Sequence, residues 1–212
     1  MPAVVVPPDP GSALETEPLP DLAAEIGADP APGRPVAVLG LMGAGKTSVA
    51  TLLAHRWGRP LRDSDTDLEA RHGRTAAVLA AELGKDGLHD LEAEHLLLAL
   101  EERPAPIVAA AASTVDREVC RQALGGALVI WLDGSPRVLA DRHALGGHRP
   151  LYGADVLDML LEMDARRRPL FEAVADVRVV LDSPADPDKA RGKARLAVRA
   201  AVGLTRAVPP AP

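Results

Sequence analysis

Asparagine is absent from all 212 residues, and that absence alone removes the Asn-Lys-x-Asp guanine reader of the common GTPases. Aromatic residues make up only 2% of the chain, too few for a surface that grips nucleic acid by stacking on bases. The one cysteine, Cys120, excludes an internal disulfide, fits a reducing compartment and reads as a buried or half-buried helix residue. No apolar run approaches the ~18–20 residues of a membrane span. The N-terminus has no basic segment leading into an apolar signal core, because Val4-Val5-Val6 is far too short. A positive field is also missing: the formal net charge is -6, and Asp9, Glu15, Glu17, Asp21, Glu25 and Asp29 face Arg34 alone in residues 1–34, which leaves the remainder near neutral. Neither nucleic acid nor a membrane surface is therefore an expected partner. We expect a cytoplasmic monomer that acts on a small molecule.

What is present is a chain 47% hydrophobic, built from Ala, Val and Leu, the mixture that suits helices covering a parallel sheet. The length suits one domain with tails. Residues 1–34, rich in Pro, Ala and acids, read as a disordered arm, with at most a transient helical turn over Leu22 to Ile26. Residues 35–204 read as the folded domain and 205–212 as a tail. Within the domain, strands are expected at 35–39, at 60–62 leading into Asp63, at 107–110, 128–132 and 177–181. Helices are expected at 46–57, at 70–83 with a break near Gly73, and at 88–102, 116–124, 154–168 and 186–202. This alternation predicts an α/β protein, a parallel sheet with helices on both faces and ligands gathered at the carboxyl ends of the strands. The polar, glycine-containing stretch from Arg142 to Gly153 reads as irregular and suited to a mobile lid.

Gly40-Leu41-Met42-Gly43-Ala44-Gly45-Lys46-Thr47 fits G-x-x-x-x-G-K-[ST] between an apolar strand and a helix, the context that this motif requires. Its glycines let backbone N–H groups turn inward onto an anion at a helix N-terminus. Gly43, Ala44, Gly45, Lys46, Thr47 and Ser48 are the expected cradle for ATP, with Lys46 on the β and γ phosphates and Thr47 on Mg²⁺. Lysine is otherwise confined to Lys85, Lys189 and Lys193. Asp63, Asp65 and Asp67 alternate like the start of a calcium loop. That reading fails at its sixth position, Leu68 instead of Gly, and at its twelfth, Arg74 instead of Glu. At a strand end facing a phosphate loop, one carboxylate can hold Mg²⁺ through water and another can orient or deprotonate a hydroxyl, while Asp67 or Thr66 caps the following helix. A motor ATPase usually needs more chain than this. A small-molecule or nucleoside-phosphate kinase whose lid excludes water remains.

The loop, then Asp63-Ser64-Asp65, Glu69, Arg71, Gly73 and Arg74, Gly87-Leu88-His89-Asp90-Leu91-Glu92, Arg149-Pro150-Leu151 and Arg167-Arg168-Pro169-Leu170-Phe171, resemble the shikimate kinase family in order and spacing across about residues 35–202. The resemblance implies a three-layer P-loop kinase fold with a five-stranded parallel sheet, a mobile lid and transfer of phosphoryl from MgATP to the 3-hydroxyl of shikimate, in aromatic amino-acid biosynthesis. It implies that Asp63 aids Mg²⁺ and Asp65 takes the substrate hydroxyl. Arg149 meets the ATP phosphates, Arg142 lies near adenine and Arg167 binds the substrate carboxylate. The catalytic set is then Lys46, Asp65 and Arg149, and the acceptor is lined by Asp65, His89, Ala112 and Arg167. The other two arginines of Arg166 to Arg168 read as a solvated helix face.

Two departures stand out. The family has Arg where this chain has His89, and Gly-Gly-Gly where it has Ala111-Ala112-Ser113. An imidazole cannot supply the planar fork that suits a carboxylate. Side chains at 111–113 occupy space where bare backbone is expected. Two other functions therefore stand beside the first: a kinase of the same fold acting on another small polyol or hydroxy acid, and a non-catalytic nucleotide-binding protein. The presence of Asp65 favours catalysis, since a mere binder has no need to orient a hydroxyl.

Overall fold

The computed structural model describes residues 27–146 and 156–181. Five strands, β1 (Val36–Leu39), β2 (Leu61–Asp63), β3 (Ile107–Ala109), β4 (Leu128–Gly134) and β5 (Val177–Leu181), form one parallel sheet in the order β2-β3-β1-β4-β5. β1 is central, with Val36 opposite both Ile107 and Leu128. All four of its residues are inaccessible to solvent, as for a strand covered on both faces. β5, at the edge, alternates: Val177, Val179 and Leu181 point into the core while Arg178 and Val180 point out.

The helices are α1 (Lys46–Trp57), α2 (Ser64–His72), α3 (Ala76–Glu101), α4 (Glu118–Leu124), α5 (Pro136–Gly146) and α6 (Val156–Val174), and a 3₁₀ turn spans Ala112–Asp116. Gly58 ends α1 in the left-handed region, φ 62°, donating its N–H to Ala54 and His55. Asp63 caps α2 by accepting the Thr66 N–H at 3.2 Å. The cap is thus Asp63 rather than Asp67 or Thr66, which leaves its second oxygen for the site. The core is aliphatic, from Val36, Leu39, Leu53, Leu96, Ile107, Leu132 and their neighbours, with Trp131 and Phe171 stacked at 5.7 Å beneath α6. Cys120 is fully buried within it.

Several boundaries differ from the sequence reading. The break near Gly73 is real, but α2 begins at Ser64; the two helical segments expected on either side of residue 84 are both present, meeting in α3 at the non-helical Gly84, φ 76° and ψ 171°, with the second starting nearer 85 than 88. Residues 142–146 continue α5 instead of opening the irregular stretch. Pro169 lies inside α6 rather than ending it, because Phe171, two residues on, is held in the core by Trp131. The arm does not run free to residue 34: Arg59, at the end of α1, pairs with Asp29 at 3.0 Å and donates to the carbonyls of Ala31, Arg34, Ala105 and Pro106. Trp57 donates to Gly27, and Arg34 to Gly126 and Ala127. The expected turn at 22–26, the rest of the lid with Arg149, the helix at 186–202 and the tail lie outside the described residues.

Candidate active site

The carboxyl ends of β1, β2 and β3 open into one cavity of about 480 Å³. At its phosphate end the chain leaves β1 through Gly40, whose φ of 145° and position suit only glycine: a Cβ there would stand 2.7 Å from the Leu132 carbonyl oxygen. Gly43, at φ 81°, packs under α5, where an added Cβ would stand 3.3 Å from the Leu139 carbonyl oxygen, and Gly45 at φ 87° turns the chain into α1. Ala44 is fully buried beneath this curl and belongs to the loop's support rather than to the cavity wall. Lys46 lies along the loop, with its ammonium 3.4 Å from the Leu41 carbonyl. Thr47 donates its hydroxyl to Asp63 at 2.7 Å, so the first turn of α1 and the end of β2 meet at one pair of oxygens.

Opposite, Asp65 on the first turn of α2 lines the cavity with Ser64, His89, Glu92, Ala111, Ala112, Ser113, Arg142, Met163 and Arg167. Sequence-selected residues from six separate segments therefore converge: Gly43, Gly45, Lys46, Thr47, Ser48, Asp63, Asp65, His89, Ala112, Arg142 and Arg167 line one cavity. Ala111 has ordinary extended angles, φ -61° and ψ 144°, so a side chain is accommodated at this position without strain. Ser113 donates its hydroxyl to Glu92.

Glu92 is the residue the sequence reading passed over. It follows His89 by three positions on α3 and is only 8% exposed. An acid in helical register with His89 and beside buried Ala93 and Leu96 was the available signal. Burial pushes its carboxyl above the usual range, and Asp65 adds to that shift, against the Ser113 hydroxyl, Arg167 and Lys46. His89 is pushed the other way. Its half-burial, then the charge of Arg167, hold the imidazole below the usual histidine value despite Asp116. Burial also lowers Arg142.

Arg167 is 2% exposed and its Nε and Nη2 donate to Asp116 at 2.8–3.2 Å. Burial alone would raise Asp116, but hydrogen bonding and charge from Arg167, with Arg166 and His89 behind it, bring the carboxyl below its ordinary value. Of the other two arginines, Arg166 is solvent-exposed on the helix face as expected, whereas Arg168 is turned inward. Arg166 pairs with Asp116 at 2.8 Å, and Arg168 bridges Asp164 and Asp133 while lying 5.4 Å from the centre of the Trp131 ring. No local pattern announces Asp116, since its partner is 51 residues away.

A family model for shikimate kinase matches residues 42–192. Shikimate kinase of Symbiobacterium thermophilum is 40% identical over 69% of this chain and 86% of its own length, and that of Corynebacterium diphtheriae 36% identical over 70% and 86%. Among solved structures, the shikimate kinase of Acinetobacter baumannii in complex with shikimate superposes with a TM-score of 0.71 at 24% identity, covering 83% of this chain and 96% of that one. At that identity the superposition carries the fold alone, and the sequence matches carry the family.

Proposed function

The chain belongs to the shikimate kinase family, and on that premise we propose that it transfers the γ-phosphoryl group of ATP to the 3-hydroxyl of shikimate, as a cytoplasmic, monomeric enzyme of aromatic amino-acid biosynthesis. One observation carries the reading: the phosphate loop and the Asp65 carboxylate face each other across a single cavity at the strand ends. Backbone N–H groups of the loop and the α1 terminus hold the phosphates, and Lys46 spreads its charge over the transferring oxygens. Asp65 accepts the hydroxyl proton and aims its oxygen at phosphorus, and the cavity wall excludes water that would otherwise take the phosphoryl. Arg142 and Arg149 are assigned to the nucleotide side, and His89, Ala112 and Arg167 to the acceptor.

The residues present suit Mg²⁺. Thr47 and Asp63 offer hard oxygen donors 2.7 Å apart, and Ser64, 3% exposed in the same wall, has a hydroxyl with no hydrogen-bond partner. Among the described residues no group of three or more His, Cys, Asp or Glu is placed to hold a metal ion. That agrees with a cation that keeps waters and phosphate oxygens in its shell. When bound, Mg²⁺ supplies charge neutralisation for the β and γ phosphates.

The test is coupled ADP release with MgATP against shikimate, quinate, gluconate and no acceptor, with and without chelator. A saturable rate with shikimate that chelator removes is the expected result. An ADP release indifferent to every acceptor would reject the reading in favour of a nucleotide binder. A rate confined to gluconate or another polyol would favour the same fold on a different substrate.

A further inference from the structure

Positive charge is scarce where the acceptor must lie. Lys46, His89, Arg142 and Arg167 are the basic side chains in the cavity wall among the described residues. Lys46 belongs to the loop. Arg142 sits one turn beyond Leu139, whose carbonyl covers Gly43, so it too belongs to the phosphate end. His89 and Arg167 remain beside Asp65 and Glu92, and His89 is biased towards the neutral imidazole by burial and by Arg167 itself. Among the described residues Arg167 is therefore the one permanent cation of the acceptor end.

That cation is already engaged. The 3₁₀ turn that lines the cavity with Ala112 and Ser113 ends on Asp116, and the turn delivers its carboxylate onto the Nε and Nη2 edge of Arg167. Arg166 holds the same carboxylate from outside at 2.8 Å. The clamp is thus fixed by two arginines and by the fold of the turn.

We propose that Asp116 sets the acceptor specificity of this enzyme: it holds Arg167 as an acceptor's carboxylate would, so a carboxylate on the acceptor competes with an internal one and gains little over an uncharged group. The proposal rests on the reading of this cavity as the acceptor site of a shikimate kinase. An incoming carboxylate has to share a guanidinium whose charge is largely neutralised, and it approaches a like charge to do so. A bidentate edge lost to Asp116 also removes the geometry that makes arginine selective for carboxylate. Ring hydroxyls lose nothing, since Asp65, Glu92 and Ser113 remain to meet them.

The experiment compares shikimate with its uncharged carbinol, in which the carboxylate is reduced to a hydroxymethyl group, in the intact protein and in Asp116→Asn. For the unaltered enzyme kcat/KM for the two acceptors is expected to agree within about tenfold, and in D116N the preference for shikimate is expected to rise by roughly ten- to hundredfold through a lower KM for shikimate, the KM for ATP standing still. Calorimetric titration of both acceptors into the ADP-bound proteins reads the same comparison without turnover. A preference for shikimate already above about a hundredfold in the unaltered enzyme, or a D116N protein whose shikimate affinity is unchanged or weaker, overturns the proposal and leaves Asp116 as a support for Arg167. Should D116N unfold, the preference of the unaltered enzyme decides alone. If neither acceptor is phosphorylated while D116N gains shikimate affinity in the titration, the kinase assignment fails and the role of Asp116 stands. If neither protein binds shikimate, both fall.

Discussion

The two ends of the cavity are built from different materials. At the phosphate end the ligand-facing groups are mostly backbone, shaped by Gly40, Gly43 and Gly45 within a single strand-loop-helix unit. At the acceptor end they are side chains, Asp65, Glu92, Ser113 and Arg167, brought from four segments of the chain and positioned by one another. A backbone site tolerates change around it because its geometry is local. A side-chain site changes character with each substitution, and His89, Ala111-Ala112-Ser113 and Asp116 are all at that end.

Lys46→Ala attacks the local end and carries the largest expected effect. Removing the charge that meets the transferring phosphate is expected to lower kcat by about two to three orders of magnitude, with the melting temperature nearly unchanged, since Lys46 is not part of the core. Near-normal turnover would dissolve the contrast, because the loop would then not be the phosphate site.

Removal of the N-terminal residues sharpens the comparison by touching neither end. Loss of residues 1–26 is expected to leave the melting temperature and turnover as they are. Loss of residues 1–34 strips Asp29 and the Ala31 and Arg34 carbonyls from Arg59, whose side chain is 8% exposed. A deficit of roughly 1–3 kcal/mol follows from such an uncompensated charge, or about 3–10 °C in Tm at this size. Equal melting temperatures for the two truncations would show that the Arg59 clasp contributes nothing.

The smallest effect is a gain in stability at the acceptor end. Because the folded-state pKa of Glu92 lies above its ordinary value, mainly through burial, its contribution to stability is present at low pH and lost as the pH rises through the folded value. Glu92→Gln removes that loss and can still accept the Ser113 hydroxyl. Its Tm is expected to exceed that of the unaltered protein by a few degrees near neutral pH, of the order of 1 kcal/mol, and to converge with it in acid below about pH 4.5. Thermal denaturation across pH checks the sign. A lower Tm at neutral pH would mean that the ionised carboxylate is a net support.

The same contrast explains what was legible in the sequence. The loop, β1 and α1 could be read because glycine, lysine and threonine at fixed spacing determine their own geometry within one unit. The inner strands β1, β3 and β4 could be read from their apolar runs, while the edge strands β2 and β5 carry Arg62 and Arg178. The helix expected to end at Arg168 runs on to Val174, through Pro169, and carries Phe171 onto Trp131, a contact no local pattern announces. The break at Gly84 could be read because the helical spacing stops at Leu83, and there the backbone leaves helical geometry at φ 76°. Arg168 looked like part of a solvated face because Asp133 reaches it only through the tertiary fold, while Arg166 does stay exposed. Family resemblance located Arg167, but only the packed turn at 112–116 revealed that its guanidinium is already paired.

The account's central claim is that Asp65 and the phosphate loop together direct a phosphoryl group to one hydroxyl of shikimate. The most direct measurement is phosphorus NMR of the product formed from MgATP and shikimate by the unaltered enzyme and by Asp65→Asn. The expected spectrum for the unaltered enzyme shows a phosphate monoester coupled to the proton on carbon 3, with its rate of appearance reduced by about a hundredfold or more in the variant. Free phosphate alone, or a monoester formed equally fast without the Asp65 carboxylate, would contradict it.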